Sequence, residues 1–529
     1  MASITSKIEI ELSGRDNGWT EITSDVLTPI QIAYGIDGAG PADRTASSGS
    51  LTLSLNNSTS NSAQTLGYYS AGGPFSRVGW SVGIRVRAQF FDPDTSTWHM
   101  KFVGSLTDIV PDAGQYGSRR VRVVAADWMD EAARSTIAGL TTQVNKRSDE
   151  VMSTLIGNVS RGPVSSSLGT GKSTFAYALD NTRDDRPNPI LQEIAKVTVS
   201  ELGYSYLKGD GSFVFEPRFT RVNTSSAVTL TDDMAGLSSN VTRDALFSKV
   251  QTIVHPRTVD VSAVVLYRSQ NAIEIPIGGT VTIIGGYTDP NNRAQRVGGT
   301  SMVTPVATTD YLANSAADGS GTNLTASISV SATLGANSAA FTITNNASVT
   351  AYVTKLQARG IGLYDYEHTV GEAVDNTVAN DFGEQLSSID MPYLSDVATG
   401  VNAARYLLQL YSPTERGRWA LGTAGSSELG ETTALADRVL SSVSSVTVTP
   451  RTPALQTQIL AREIGDRISI IETVTGIDNA FYIQAISLSV DAPGIPIATW
   501  TLAPADTTVY WSLGTAGFSE LDDATRLSF

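Results

Sequence analysis

Apolar side chains in the first third of this chain recur at every second position. Ile8, Ile10 and Leu12 alternate with Lys7, Glu9 and Glu11, and Leu51, Leu53 and Leu55 alternate with serine and threonine. Ile84, Val86 and Ala88 alternate with Arg85, Arg87 and Gln89, and Val121 and Val123 alternate with Arg120 and Arg122. Period two puts one side chain toward a core and the next toward water, so each stretch reads as a half-buried strand. The run from Lys101 to Gly114 adds a further strand pair ending in a turn. A sheet closed on itself or sandwiched is expected over this region.

Composition agrees with many short strands. Charged residues make up 17% of the 529 residues, against a usual ~25%. Hydrophobic residues are 41%, enough for real cores, and the length suggests about three to four domains. With no cysteine, disulfide frameworks, thiolate metal sites and cysteine nucleophiles are excluded. The net charge of −15 argues against general nucleic-acid binding, which needs surplus Lys and Arg. No signal-peptide core opens the chain and no stretch approaches a membrane span, so neither is expected.

Helix signals begin after residue 136. Ser148 is a candidate cap before Asp149 and Glu150, with Val151, Met152, Leu155 and Ile156 on one face. Asn188 and Pro189 open a second helix, whose stripe is Ile190, Leu191, Ile194, Val197 and Leu202, with Gly203 to close it. A hairpin follows, turning on Gly209, Asp210 and Gly211. From about 275 to 370 the chain is rich in Ser, Thr, Ala and Asn and reads as an inserted β-sandwich, with Tyr287, Tyr311 and Tyr352 expected at its surface. Asp396 then caps an amphipathic helix through Val397, Val401, Ala404, Leu408 and Tyr411, stopped before Pro413.

One element occurs twice. The 17 residues beginning at Trp419 match those beginning at Trp511 at 11 positions. Two copies are too few for a solenoid or propeller, so each tryptophan is expected to be an apolar anchor of a strand–turn unit.

Catalytic patterns fail on inspection. GTGKST, from Gly169 to Thr174, lacks the first glycine of a phosphate loop, because Ser166 stands there. His99, His255 and His368 are scattered, and Asp365, Glu367 and His368 read as a solvated loop rather than a metal site. Arg119, Arg120 and Arg122 interleave with valines and form the wet face of a strand. No enzyme, cofactor or metal is expected.

Three passages, in order, resemble the tail-tip and baseplate hub proteins of tailed bacteriophages, the family of the contractile-tail baseplate hub. The first runs from Lys101 to Arg134 and turns on Asp127; the second runs from Ile190 to Arg218. The third comprises 393–413, 464–490, where Gly465 and Asp466 precede a strand, and 498–506, where Trp500 lies in the closing strand. The resemblance implies a mainly β chain with two hub-type β-barrel domains, a small α+β module and an inserted β-sandwich. The expected boundaries are a first barrel at 1–135, the module at 136–245, a second barrel at 246–280 and 369–505, the insertion at 281–368, and the repeated tryptophan element at 506–529. Trp419, Trp511, Gly465, Asp466 and Trp500 are the expected structural anchors.

The implied role is a homotrimeric adaptor at the virion tail tip, made in the host bacterial cytoplasm. Its implied partners are a distal tail protein or tail tube, a tape-measure protein and a central fibre or spike, with a channel for DNA but no sequence-specific nucleic-acid binding. The alternative is a receptor- or glycan-binding tail protein that uses the inserted sandwich.

Overall fold

The computed structural model describes residues 3–526 apart from 13, 115–116, 138–139, 180–187, 223, 241–246, 412–441, 493, 506–508 and 511–524. Thirteen strands form one large sheet: β1 (Thr5–Glu11), β2 (Thr20–Glu21), β3 (Val26–Gly35), β4 (Ser47–Asn56), β5 (Arg85–Asp92), β6 (Thr97–Pro111), β7 (Arg120–Ala126), β8 (Val228–Thr231), β9 (Gly236–Asn240), β10 (Ser442–Val448), β11 (Arg467–Glu472), β12 (Ile477–Asp491) and β13 (Ile495–Pro504). The order is β9-β10-β13-β12-β3-β4-β7-β6-β5-β1-β2, with β11 on the other half of β12 and β8 on β11.

Two arrays within this sheet follow the same plan. β1-β5-β6-β7-β4-β3 and β8-β11-β12-β13-β10-β9 run through six strands in the same chain order. They differ at one end, where β1–β5 is antiparallel and β8–β11 parallel. Details correspond as well. Arg85 opens β5 opposite Ser105, and Arg467 opens β11 opposite Tyr482. Two residues further on, β6 bulges between Leu106 and Asp108 against β7, and β12 bulges between Ile483 and Ala485 against β13. Just before each opening arginine sits a glycine with positive φ, Gly83 at 85° and Gly465 at 88°. Gly83 N–H donates to Leu106 O at 2.7 Å, and Gly465 N–H donates to Ile483 O at 2.9 Å.

Both arrays must curl. β8 and β9 lie at opposite ends of six strands yet are joined by residues 232–235. That link reaches at most about 19 Å, whereas flat strands would put the ends about 24 Å apart. The same reasoning applies to β2 and β3, joined by 22–25 at opposite ends of seven strands. The alternating apolar residues line the inside, where Ile8, Ile10, Leu53, Leu55, Val121, Val123 and Trp500 are all buried in one continuous core.

The α+β module packs into that core through α1 (Trp128–Arg134), α2 (Ser148–Gly157) and α3 (Ile190–Glu201). Its hairpin Tyr204–Leu207 with Ser212–Glu216 turns where the sequence placed it, with Gly211 at φ 81°. Three helix ends differ from expectation: α3 begins only at Ile190, since Asn188 and Pro189 pair with Ile137 and Thr136 in a short antiparallel ladder. The Ser148 hydroxyl does not cap α2 but donates to the buried Glu201 carboxylate at 2.8 Å, and α3 is closed by Leu202 at φ 57° rather than by Gly203.

Residues 249–254, 369–374 and 386–391 make a separate three-stranded sheet. On it lies α4 (Val397–Tyr411), capped by the Asp396 carboxylate, which accepts from Thr399 N–H at 3.0 Å. Gly400 lets helix and strand approach closely, since a Cβ there would meet Val254 Cγ2 at 2.3 Å. The segments expected in a second barrel are therefore shared between this sheet and the large one, and β8 and β9 join them from within 136–245.

The segment from 257 to 365 has its own core. The 15-residue strand Ala351–Asp365 pairs with five shorter strands between 257 and 314. A second sheet of 280–286, 338–345 and 328–334 shares its core of Leu266, Tyr287, Phe341, Val353 and Leu356. Arg257 pairs with Asp365, so the chain enters and leaves side by side.

Candidate functional site

The two arrays join through a β ladder. Ile30–Gly35 of β3 pairs antiparallel with Ala485–Val490 of β12. Gly35 is required there, because its φ is 131° and a Cβ would meet Gln484 O at 2.4 Å. One strand, β12, thus serves β11 along its first half and β3 along its second.

A buried polar lock sits beside this ladder. The helix α5 (Pro453–Ala461) ends in a tight loop in which Glu463 N–H donates to Asp466 Oδ2 at 3.1 Å and Asp466 N–H returns to Glu463 O at 3.2 Å. The loop aims the Glu463 carboxylate at Lys101 Nζ, 2.6 Å away, and Lys101 also donates to Arg462 O at 2.7 Å. The Lys101 side chain is 1% exposed. Tyr34 Oη donates to the same carboxylate at 3.1 Å and Gly209 N–H at 3.3 Å. Burial and the adjacent Glu463 charge push the Tyr34 phenol well above its ordinary range, so it stays a donor. Three regions of the chain therefore converge on one carboxylate. Nearby, Asp92 accepts from Thr457 Oγ1 at 2.7 Å and ties the β5–β6 hairpin to α5.

A second cluster fixes the module to the second array. The Arg221 guanidinium lies 3.7 Å over the Tyr204 ring and 5.1 Å from that of Tyr482, and Nε donates to Glu216 at 2.7 Å. Burial opposes its charge, but Glu216 and the surrounding tyrosines hold it above its ordinary value. Tyr206 Oη donates to Glu216 at 2.9 Å. Gly465 closes this box, since a Cβ would come within 2.6 Å of Tyr206 Oη.

On the first array Asp127 caps α1, accepting from Met129 N–H at 2.9 Å. Burial pushes its carboxyl up to about 7. It borders a cleft of about 530 Å³ that Arg15, Arg85, Trp128, Arg134, Arg161 and Val164 also line.

Of the expected anchors, Gly465 and Asp466 form the turn before β11, and Trp500 is fully buried in β13 between Ile486 and Val446. Trp419 and Trp511 lie outside the described residues; near its end the second copy pairs Thr525–Arg526 in parallel with Val509–Tyr510, which immediately precede it. Arg120 and Arg122 do face outward on β7. Tyr287 corrects the expectation of a tyrosine-studded surface on the insertion: it is fully buried in that unit's core, and Tyr311 and Tyr352 are half-buried. Alternation alone does not say which of a sandwich's two faces a loop tyrosine meets. No group of three or more His, Asp or Glu side chains is placed to hold a metal ion among the described residues, and no helix among them is long and apolar enough to cross a membrane. Lys101, Tyr34 and Glu463 were not singled out by sequence, because partners hundreds of residues apart leave no local spacing to read; Arg221 was missed although its partner Glu216 lies five residues before it.

No family model matches the sequence, and no curated protein does. Several solved structures are similar in chain path. The 43 kDa tail protein of prophage MuSo2 from Shewanella oneidensis is 12% identical, with 95% of this chain and 99% of that one covered and a TM-score of 0.48. The tail protein from Neisseria meningitidis MC58 is 9% identical over 95% of this chain and 96% of that one, with a TM-score of 0.45. A prophage tail protein from Listeria monocytogenes EGD-e is 10% identical over 94% of each chain, with a TM-score of 0.41.

Proposed function

We infer that the chain is a structural hub of a phage tail tip or baseplate and does no catalysis. In this reading it is a homotrimer that joins a six-fold tail tube or distal tail ring to a three-fold central spike or fibre, meets the tape-measure protein, and lines the channel by which DNA leaves. The observation that carries it is the repeated six-strand plan, with matching bulges and matching glycines at 83 and 465. Two like units per chain let three chains present six, and cyclic closure satisfies every such interface. The two curled arrays are the two hub-type barrels, and the unit from 257 to 365 is the inserted sandwich.

The polar lock at Glu463 supports this, because it holds the arrays in one fixed relation, as a load-carrying adaptor requires, and the box at Arg221 holds the module to the second array. Gly465, Asp466 and Trp500 act as anchors of the second array. The net charge of −15 lowers adsorption of a phosphate backbone sliding past. The glycan-binding alternative keeps Tyr311 and Tyr352, half-buried, but loses Tyr287, which is fully buried. Light scattering or native mass measurement of the purified chain tests the reading: a trimer is expected, and a stable monomer at micromolar concentration overturns it.

A further inference from the structure

The cleft beside Asp127 has one wall that is pinned from three sides. That wall is the loop from Arg161 to Val164. Trp128 Nε1 donates to Arg161 O at 2.8 Å, and Arg15 Nη2 donates to Gly162 O at 2.8 Å. Val164 N–H donates to Gly211 O at 3.1 Å, and a Cβ on Gly211 would meet Val164 Cγ2 at 2.6 Å. The wall is therefore set before any ligand arrives, and its space of about 530 Å³ lies within the range of ligand-binding clefts.

The charges on the lining are uneven. Arg85 pairs with Glu11 at 3.3 Å and Arg134 with Asp130 at 3.0 Å. Arg15 and Arg161 have no carboxylate partner among the described residues. Only Glu131 on the lining opposes them, because the buried Asp127 carboxyl, raised to about 7, is largely uncharged below neutral pH. Four arginines thus face three charged carboxylates in a chain of net charge −15. Apolar surface adjoins them: Trp128, Val103 and Leu106 are buried, and Val82 and Val164 are exposed.

We propose that this cleft docks an acidic–apolar segment of a partner protein, with its Asp or Glu carboxylate between Arg15 and Arg161 and the neighbouring apolar side chain against Trp128 and Val164. Charge-assisted bonds from guanidinium to carboxylate are strong and directional, and a basic segment would meet the same two arginines as repulsion. A protonated Asp127 does not repel an incoming carboxylate and can donate to it; once ionised, it opposes the same group. Docking therefore tightens as pH falls through 7. Glu11 from β1, Arg85 from β5, and Asp130, Glu131 and Arg134 from α1 share the cleft with Asp127, so Asp127→Asn is needed to separate its titration from theirs. The hub reading is not required for any of this.

The test is a selection of random hexapeptides on the immobilised full chain at pH 6, followed by fluorescence anisotropy with the enriched peptides. Enriched peptides are expected to carry Asp or Glu beside an apolar residue and to bind about tenfold more weakly at pH 8, as one coupled proton allows. Asp127→Asn is expected to bind equally at both values. Arg161→Glu should abolish binding, and so should Gly162→Leu, since Gly162 has no positive φ and a Cβ there meets nothing within 4 Å. Arg122→Glu, on the outer face of β7, is the control expected to bind as wild type. No enrichment, enriched peptides without an acid, or binding that survives both Arg161→Glu and Gly162→Leu overturns the docking site. Binding that is lost in those two variants but is flat with pH in the wild type upholds the site and overturns the part given to Asp127.

Discussion

Lys101 and Glu463 meet at 2.6 Å across 362 positions of sequence, with the lysine side chain 1% exposed. Removing one partner of such a pair leaves a buried charge unpaired. Glu463→Ala is expected to cost about 3–5 kcal/mol, read from the urea midpoint. Lys101→Met combined with Glu463→Gln is expected to recover most of that loss, since the amide still accepts from Tyr34. Equal destabilisation in the single and double variants would show that charge pairing is not what the lock supplies.

Asp127 sets a pH dependence of unusual sign. Its carboxyl is raised by burial from 3.8 to about 7 in the folded chain, so between those values the native state holds a proton that the unfolded state has released. Stability from this group is full below about pH 4 and is lost as pH rises toward 7. Asp127→Asn keeps the cap and cannot ionise. Its stability relative to wild type is expected to grow from pH 4 to 8 by a few kcal/mol, on the order set by ~1.4 kcal/mol per unit. A difference flat with pH would contradict the burial argument. Depressed carboxyls such as Asp92 and Asp310 slope the other way in both proteins and cancel in the comparison.

The paired glycines predict unequal responses to one substitution. Gly83→Ala meets nothing within 4 Å and suffers only from its φ of 85°, a cost of about 1–2 kcal/mol. Gly465→Ala adds a clash with Tyr206 Oη at 2.6 Å and is expected to lower the thermal midpoint further. Equal shifts would mean that the tyrosine yields freely.

Excision of the inserted unit is expected to be tolerated. Residues 257 and 365 are directly paired, and the unit has its own core, so a short Gly-Ser link between Pro256 and Tyr366 should leave the number of copies in the oligomer unchanged. Loss of assembly on excision would assign the unit a place in the interface.

Much of the fold was legible because its signals are local. The alternations at Ile8, Leu51 and Val121, the turn at Gly209–Gly211 and the cap at Asp396 each need only a few neighbours. What joins these pieces was not legible. The register of Tyr34 opposite Ile486, the lock at Glu463 and the bulges at Thr107 and Gln484 depend on residues that meet only after the chain has folded back. β8 and β9 were read with the module that precedes them, since short strands carry no mark of the sheet they enter. Ser148 has the composition of a cap, but a buried carboxylate at Glu201 outbid the helix end for its hydroxyl.

The reliance of β3 on β12 has a consequence for synthesis. At roughly 5–20 residues per second, about 450 residues separate the two strands by roughly 20–90 s at the ribosome. Throughout that interval the nascent N-terminal array carries an unpaired strand edge from Ile30 to Gly35. A truncated product ending before Ala485 would keep it permanently, and fragments of this chain should therefore precipitate, or be held by chaperones, where the complete polypeptide does not.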